Sequence, residues 1–103
     1  LGVPPKALTQ YTTVKYALLG LMKALASEYA DKKITVNCIS PSMIDTKFLS
    51  LINERVIELT AEMHPLKRNA KVSDIIPTLL MLLSEDAEYI NGANLPITGG
   101  SIF

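Results

Sequence analysis

One stretch decides the fold: residues 10–39, which read QYTTVKYALLGLMKALASEYADKKITVNCI. Up to residue 30 the apolar positions recur at the three- and four-residue spacing of a helix. After a short charged turn, residues 34–39 are β-branched and nearly all apolar, which is typical of a buried strand. A long helix followed by such a strand predicts an α/β fold. The apolar stripe is wide enough that we expect the helix to be covered on two sides.

Length and composition suggest a domain that needs a partner surface. The chain has 103 residues, of which 49% are hydrophobic and 19% charged. That length suits one small domain, but the apolar content is high for so short a chain. We expect that residues 1–103 are a single partial domain of a larger protein, or that the chain oligomerises. A first residue other than methionine, Leu1, also favours a fragment or a processed chain.

Charge and cysteine content exclude several classes of function. Ten basic and ten acidic residues give a net charge of +0, so no nucleic-acid surface is expected. The longest apolar run, residues 75–83, is interrupted by Pro77 and is too short to span a bilayer. One cysteine, Cys38, excludes an internal disulfide and a Cys-rich metal site, and the lone His64 has no partners at metal spacing. We expect a cytoplasmic protein without a metal or a membrane segment.

The rest of the chain predicts shorter elements. Thr9 is the expected N-cap of the long helix, and residues 40–42 are expected to end the strand. Residues 45–68 keep a helical rhythm that predicts one or two short amphipathic helices ending at His64 and Pro65. Within the first strand, Asn37 is expected to tie neighbouring loops together rather than to touch a substrate.

A further helix and a last strand complete the prediction. Ser73 or a neighbour should cap the helix, with Asp74 in its first turn, Pro77 near its start and Leu79, Leu80, Leu82 and Leu83 on a buried face. Residues 94–98 predict a strand that lies at a sheet edge or at a break in pairing, because Pro96 cannot donate to a ladder. The two strands and the helix between them predict a parallel βαβ unit.

Tyr11 and Lys15 are the candidate catalytic pair. Residues four apart lie on one face of a helix, so we expect the Tyr11 hydroxyl and the Lys15 ammonium to be neighbours. A free tyrosine has a pKa of roughly 10, and a nearby positive charge lowers it. Such a pair can act as a general acid/base toward an alcohol or alkoxide. The same spacing also occurs on helices with no catalytic role, so the pair needs support from the rest of the chain.

That support is a resemblance to the short-chain dehydrogenase/reductase family. The family's active-site helix is resembled by Tyr11-x-x-x-Lys15 with Gly20-Leu21-x-Lys23-x-Leu25-Ala26. Its strand and nicotinamide-binding loop are resembled by Val36-Asn37-x-Ile39-x-Pro41 with Ile44-x-Thr46. Its last helix and last strand are resembled by Asp74-Ile75, Leu82-x-Ser84, and Asn91-Gly92 through Gly99-Gly100. The resemblance covers the whole chain. It implies the C-terminal portion of a Rossmann-type doubly wound parallel sheet, in the order long helix, strand, short helices, helix, strand.

The resemblance also implies roles for individual residues. Tyr11 would be the acid/base, and Lys15 would lower its pKa and bind the ribose hydroxyls of NAD or NADP. The cofactor-binding loop would comprise Pro41, Ser42, Met43, Ile44 and Thr46. Ser42 departs from the family, where glycine is frequent, so its side chain could crowd the cofactor. Residues 47–68 would form the substrate lid.

The resemblance implies an incomplete active site as well. The family's glycine-rich pyrophosphate loop, catalytic serine and catalytic asparagine precede the tyrosine motif and have no counterpart here. The chain would then be part of an NAD(P)-dependent oxidoreductase that interconverts a small carbonyl compound and an alcohol by hydride transfer. Alone it is expected to be inactive and to bind no cofactor. The alternative is a non-catalytic folded fragment that acts as a homo-oligomerising module, with domain swapping as one route.

Overall fold

The computed structural model describes residues 8–42, 44 and 54–100. Along the chain the helices and strands are α1 (Thr9–Glu28), β1 (Cys38–Pro41), α2 (Glu54–Met63), α3 (Val72–Leu83) and β2 (Asn94–Ile97), with 3-10 turns at Ala30–Lys32 and Glu85–Ala87. This is the predicted order of helices and strands. The predictions for Met43, Thr46 and the first part of the lid-like segment, residues 47–53, lie outside the described residues.

The two strands are adjacent and parallel, as predicted. Cys38 lies opposite Asn94 and Pro41 opposite Ile97. The Ser40 hydroxyl adds a cross-strand bond, donating to the Asn94 side-chain oxygen at 2.6 Å. Both strands of this described sheet are edge strands, which is where a proline such as the one in β2 is tolerated.

The predicted position of the first strand was wrong by four residues at its start and two at its end. Its expected beginning does not join the ladder, because Val36 pairs with a loop: its N–H donates to the Asn91 side chain at 2.9 Å and its carbonyl accepts from the Gly92 N–H at 2.9 Å. At the other end, Pro41 does not stop the strand. The ladder continues past it through the N–H of Ser42, which donates to the Ile97 carbonyl at 3.2 Å.

Two asparagines fix the helix and the strands to each other. Asn37 donates to the Ile90 carbonyl and accepts from the Ala93 N–H, both at 3.0 Å, which confirms its predicted structural role. Asn91 donates to the Ala26 carbonyl of α1 at 3.0 Å. The carboxyl-terminal half of α1 is therefore tied to the segments that lead into both strands.

The start of α1 differs from the prediction by one residue. Leu8 occupies the N-cap without a capping side-chain bond, and Thr9 is the first helical residue. The Thr13 hydroxyl donates to the Thr9 carbonyl at 2.7 Å. This bond is not a cap, because a cap accepts from the free N–H groups of the first turn.

The start of α3 agrees with the prediction only in part. The N-cap is Lys71, a neighbour of Ser73, and the Asp74 carboxylate accepts from the Lys71 N–H at 2.8 Å. Pro77 is the sixth residue of the helix rather than part of its first turn. It is tolerated because the Ser73 carbonyl, which loses its partner, belongs to an exposed residue that water can reach.

The exposure of α3 corrects the prediction of a buried face. Among the described residues, the buried apolar side chains are Met22, Ala26 and Ala87. The predicted buried face of α3 is largely exposed, with Leu80 at 61% and Leu83 at 75%. A two-stranded sheet offers too little surface to cover three helices, which explains this exposure. None of the described helices is long and apolar enough to cross a membrane.

The long helix α1 is covered on one side only, not on two. Its inner positions are buried or half-buried and recur at helical spacing: Thr12, Lys15, Leu19, Met22 and Ala26. Its other apolar stripe is exposed by about half: Tyr11 57%, Val14 58%, Leu18 49% and Leu21 54%.

Candidate active site

The predicted catalytic pair lies in the first two turns of α1. Tyr11 belongs to the exposed stripe, and Lys15 is half-buried on the inner side. The Lys15 ammonium lies over the Tyr11 ring, 5.4 Å from its centroid. The two side chains are therefore neighbours, as helical spacing requires, but the recorded contact is a cation–π contact with the ring face. The expected approach of the ammonium to the phenol hydroxyl stays a prediction.

The predicted cofactor loop begins where β1 ends. Pro41 is exposed at the last position of the strand, Ser42 follows half-buried, and Ile44 forms an isolated parallel bridge with Ala70. Among the described non-glycine residues, positive φ angles occur at Lys33 and Lys67 but not at Ser42. The backbone at Ser42 thus does not need glycine's conformational freedom, so serine is unstrained at this departure from the family pattern.

A cavity of about 170 Å³ opens at the carboxyl ends of the two strands. Ser42, Ile97, Thr98 and Gly99 form its strand side, and the other lining residues come from the segment between α2 and α3 and from α3 itself: His64, Leu66, Arg68, Ala70 and Asp74. In parallel α/β sheets, ligands bind outside the carboxyl ends of the strands. The cavity therefore lies at the edge of the sheet where folds of this type bind ligands.

An ion pair lies in the wall of that cavity. Arg68 donates from both terminal nitrogens to the Asp74 carboxylate, at 2.7 and 3.3 Å. This bonding, together with the Lys71 N–H, lowers the pKa of Asp74 from 3.8 to about 2, and the carboxylate in turn raises the pKa of Arg68. The pair is solvent-exposed, so it fixes the geometry at the start of α3 more than it stabilises the fold.

His64 has a closer connection to the site than its sequence position suggested. We expected a helix-end residue, and it does follow α2 directly, but it is buried and lines the cavity. The sequence signal was weak, because no spacing connects a single histidine before a proline with Thr98, whose carbonyl oxygen lies 2.6 Å from the His64 ring and 34 residues away in the sequence.

The described residues fit one end of a nicotinamide cofactor better than the other. Lys15 supplies an ammonium that can donate to ribose hydroxyls, and the Tyr11 hydroxyl is on an accessible helix face. A pyrophosphate cradle needs a glycine-rich turn that leads from a strand into a helix N-terminus. Within residues 8–42, 44 and 54–100, no strand is followed by such a turn and helix.

Similarity to known proteins extends over nearly the whole chain. The family model described as Enoyl-(Acyl carrier protein) reductase matches residues 2–101. The chain belongs to the short-chain dehydrogenase/reductase family. Dehydrogenase/reductase SDR family member 4 of Rattus norvegicus is 39% identical over 97 residues, covering 92% of this chain and 35% of the rat protein.

Two further relatives extend the comparison. The 3-oxoacyl-[acyl-carrier-protein] reductase FabG of Buchnera aphidicola is 36% identical over 92 residues, covering 89% of this chain and 38% of that protein. The crystal structure of YwfH, an NADPH dependent reductase involved in bacilysin biosynthesis, superposes with a TM-score of 0.81 at 28% identity, over 96% of this chain and 42% of YwfH. The chain thus has the α/β fold of part of a Rossmann-type reductase and spans less than half the length of these proteins.

Proposed function

We propose that this chain is the carboxyl-terminal part of an NAD(P)-dependent oxidoreductase that interconverts a carbonyl and an alcohol. The observation that carries the proposal is the pairing of Tyr11 and Lys15 on α1 in a chain whose fold superposes on an NADPH dependent reductase. Relatives named as 3-oxoacyl-[acyl-carrier-protein] reductases favour a ketone or 3-oxoacyl thioester as substrate.

Each candidate residue has one task in this proposal. Bound NAD(P)H would supply hydride to the carbonyl carbon. Tyr11 gives its phenolic proton to the carbonyl oxygen as negative charge develops there. The Lys15 ammonium stabilises the resulting tyrosinate and would donate to the ribose hydroxyls of the cofactor. The nicotinamide end of the cofactor would be held by the loop of Pro41, Ser42, Met43, Ile44 and Thr46.

Isotope transfer in the full-length protein that carries this sequence tests the reaction. NADPH deuterated at the transferred position is incubated with a small ketone and with a 3-oxoacyl thioester, and the alcohol product is analysed by mass spectrometry. We expect one deuterium on the new carbinol carbon. An alcohol formed without deuterium, or no turnover of any carbonyl compound with either cofactor, would contradict the proposal.

The chain alone is proposed to be inactive, because the described residues offer no pyrophosphate cradle. A fluorescence titration of NADH and NADPH with the 103-residue chain should show no saturable binding in the micromolar range. Saturation at micromolar chain concentration would refute this part of the proposal and leave the reaction class untouched.

A second candidate function is favoured by the exposed apolar stripe of α1 and the exposed leucines of α3. The chain could be a folded, non-catalytic module that covers these faces by forming homo-oligomers. Sedimentation velocity tests the second candidate: a concentration-dependent dimer supports the module, and a compact monomer excludes it.

We also propose a cytoplasmic location, which suits a protein whose one cysteine, Cys38, is an unpaired and half-buried thiol. Subcellular fractionation should recover the protein in the cytosolic fraction, and recovery in a secretory compartment would contradict the proposal.

A further inference from the structure

His64, the one histidine of the sequence, has both ring nitrogens engaged. Nδ1 lies 2.9 Å from the Leu66 main-chain nitrogen, and Nε2 lies 2.6 Å from the Thr98 carbonyl oxygen. A main-chain N–H can only donate and a carbonyl can only accept. Nδ1 is therefore the unprotonated acceptor and Nε2 carries the proton. The geometry specifies one neutral tautomer.

The two partners of His64 belong to different parts of the fold. Leu66 lies in the turn that follows α2, whereas Thr98 follows β2 directly. The turn bends back on itself: the Lys67 N–H donates to the His64 carbonyl at 2.9 Å, and Lys67 has a left-handed φ of 59°. The imidazole thus joins the end of α2 to the end of a strand.

The space around the ring is shaped for it. A Cβ added at Gly99 would lie 2.8 Å from His64 Cε1 and 2.9 Å from Leu66 Cδ1. His64 is only 8% exposed. Backbone and side chain therefore meet closely at this point, and the ring has little room for another orientation.

Helix α2 needs such an anchor. It has ten residues and none of its side chains is buried, and helices shorter than ~12–15 residues are marginal without tertiary support. The side chain of Asn69 donates to the Ile57 carbonyl at 3.2 Å, but this bond ties α2 to the loop that follows it and not to the sheet. The His64–Thr98 bond reaches the sheet end.

We propose that His64 is a positioning residue whose Nε2-protonated imidazole fixes the end of α2 to the end of β2, next to Ser42 in the wall of the same cavity. The role given to α2 rests on the proposed function and on the family resemblance, which implies that residues 47–68, and α2 among them, form the substrate lid. The anchor itself is a property of the chain and requires neither cofactor nor substrate.

The first test is the tautomer in the unmodified chain. Because the sequence has a single histidine, a long-range proton–nitrogen NMR spectrum of the uniformly labelled protein contains one imidazole. At neutral pH we expect the pattern of a neutral ring protonated at Nε2. A ring protonated at Nδ1, or one that averages between tautomers as a free side chain does, would overturn the proposal.

The second test separates the two bonds with matched variants. His64→Asn retains an oxygen near the Nδ1 position but cannot reach Thr98, and His64→Gln retains an N–H donor near the Nε2 position. We expect hydrogen exchange of the α2 amides to accelerate roughly three- to tenfold in His64→Asn, the factor for losing one hydrogen bond. Exchange in His64→Gln should lie closer to the wild-type rate.

The α3 amides serve as the internal reference for both variants. If α2 and α3 accelerate together, His64 supports the whole fold and the anchoring role is wrong, and unchanged exchange in His64→Asn refutes it equally. If a variant does not fold, the tautomer of His64 in the unmodified chain still decides whether the proposed anchor exists. A failed hydride-transfer experiment would leave these results unaffected, so the anchor and the enzymatic function can fail separately.

Discussion

Replacing Gly20 with alanine should stabilise this chain. Gly20 lies in the interior of α1, and a Cβ added there meets nothing within 4 Å. Glycine inside a helix often marks a close helix crossing, but no described element packs against this position. With open space around the position, only helix propensity remains, and alanine is favoured over glycine by about 0.8–1.0 kcal/mol in a helix interior.

That free energy is large enough to measure. For a domain of about 60–100 residues, 1 kcal/mol shifts the melting temperature by roughly 4–8 °C. Urea and thermal unfolding of wild type and Gly20→Ala, followed by far-ultraviolet circular dichroism at low protein concentration, should show a shift of this size toward higher stability.

Gly99→Ala is the matched contrast, because the chemical change is the same. Here the φ angle is +58° and the added Cβ would lie 2.8 Å from His64 Cε1. We expect destabilisation of roughly 1–2 kcal/mol from the left-handed backbone alone, with the steric contact adding to it.

The sign of the Gly20→Ala result decides whether the face around Gly20 is open in solution. If the substitution destabilises the chain, and the loss grows with protein concentration, another helix covers Gly20 closely. That outcome would refute the reasoning from open space and favour the homo-oligomeric module. A destabilisation independent of concentration would contradict the described geometry of α1 itself.

Three further predictions follow from described contacts. Asp74 should titrate with a midpoint of about 2 by NMR. The pKa of Asp74 in the folded chain lies below its ordinary 3.8. The stability that the carboxylate contributes is therefore present above pH 3.8 and is lost as the pH falls toward about 2. Arg68→Gln should raise the midpoint, and an unchanged midpoint would exclude the ion pair as the cause of the low pKa. Lys33→Gly should stabilise the chain by about 0.5–1 kcal/mol in urea unfolding, because Lys33 has a left-handed φ of 60° after a 3-10 turn; a loss of stability would contradict this. Asn37→Ala leaves two main-chain groups without partners and should cost about 1–3 kcal/mol in the same assay, whereas a neutral effect would mean that water replaces both bonds.

Much of the fold could be predicted from local pattern. The apolar spacing between residues 10 and 30 gave α1 to within two residues at its end, and Asn37 on an apolar strand was correctly interpreted as a structural tie. These predictions succeeded because helix periodicity and the need to satisfy a polar group in a strand are properties of neighbouring residues.

The larger errors concern partners that are distant in the sequence. The apolar run of residues 34–39 predicted a strand, but Asn91 and Gly92 take the hydrogen bonds of Val36 and move the ladder toward Pro41. Likewise the leucines of α3 were expected to be buried, although a two-stranded sheet cannot cover them. Burial depends on the area of the opposing surface, which periodicity does not measure.

In the candidate site, too, the contacts set by local pattern were predictable and those between distant residues were not. Helical spacing brought Tyr11 and Lys15 together, and strand order located Ser42 at the carboxyl end of the sheet. Neither spacing nor composition could predict that His64 contacts Thr98, since that contact depends on a left-handed turn at Lys67.

The most direct test of the central claim is the loss of one hydroxyl at Tyr11. In the full-length protein, Tyr11→Phe should lower kcat/KM for NAD(P)H-dependent carbonyl reduction by roughly 10²–10⁴-fold, the contribution of a general acid. Tyr29→Phe, at the other end of the same helix, is the matched control and should retain full activity. If Tyr11→Phe and Tyr29→Phe both reduce the carbonyl compound at the wild-type rate, the proposed acid/base role of Tyr11 is wrong.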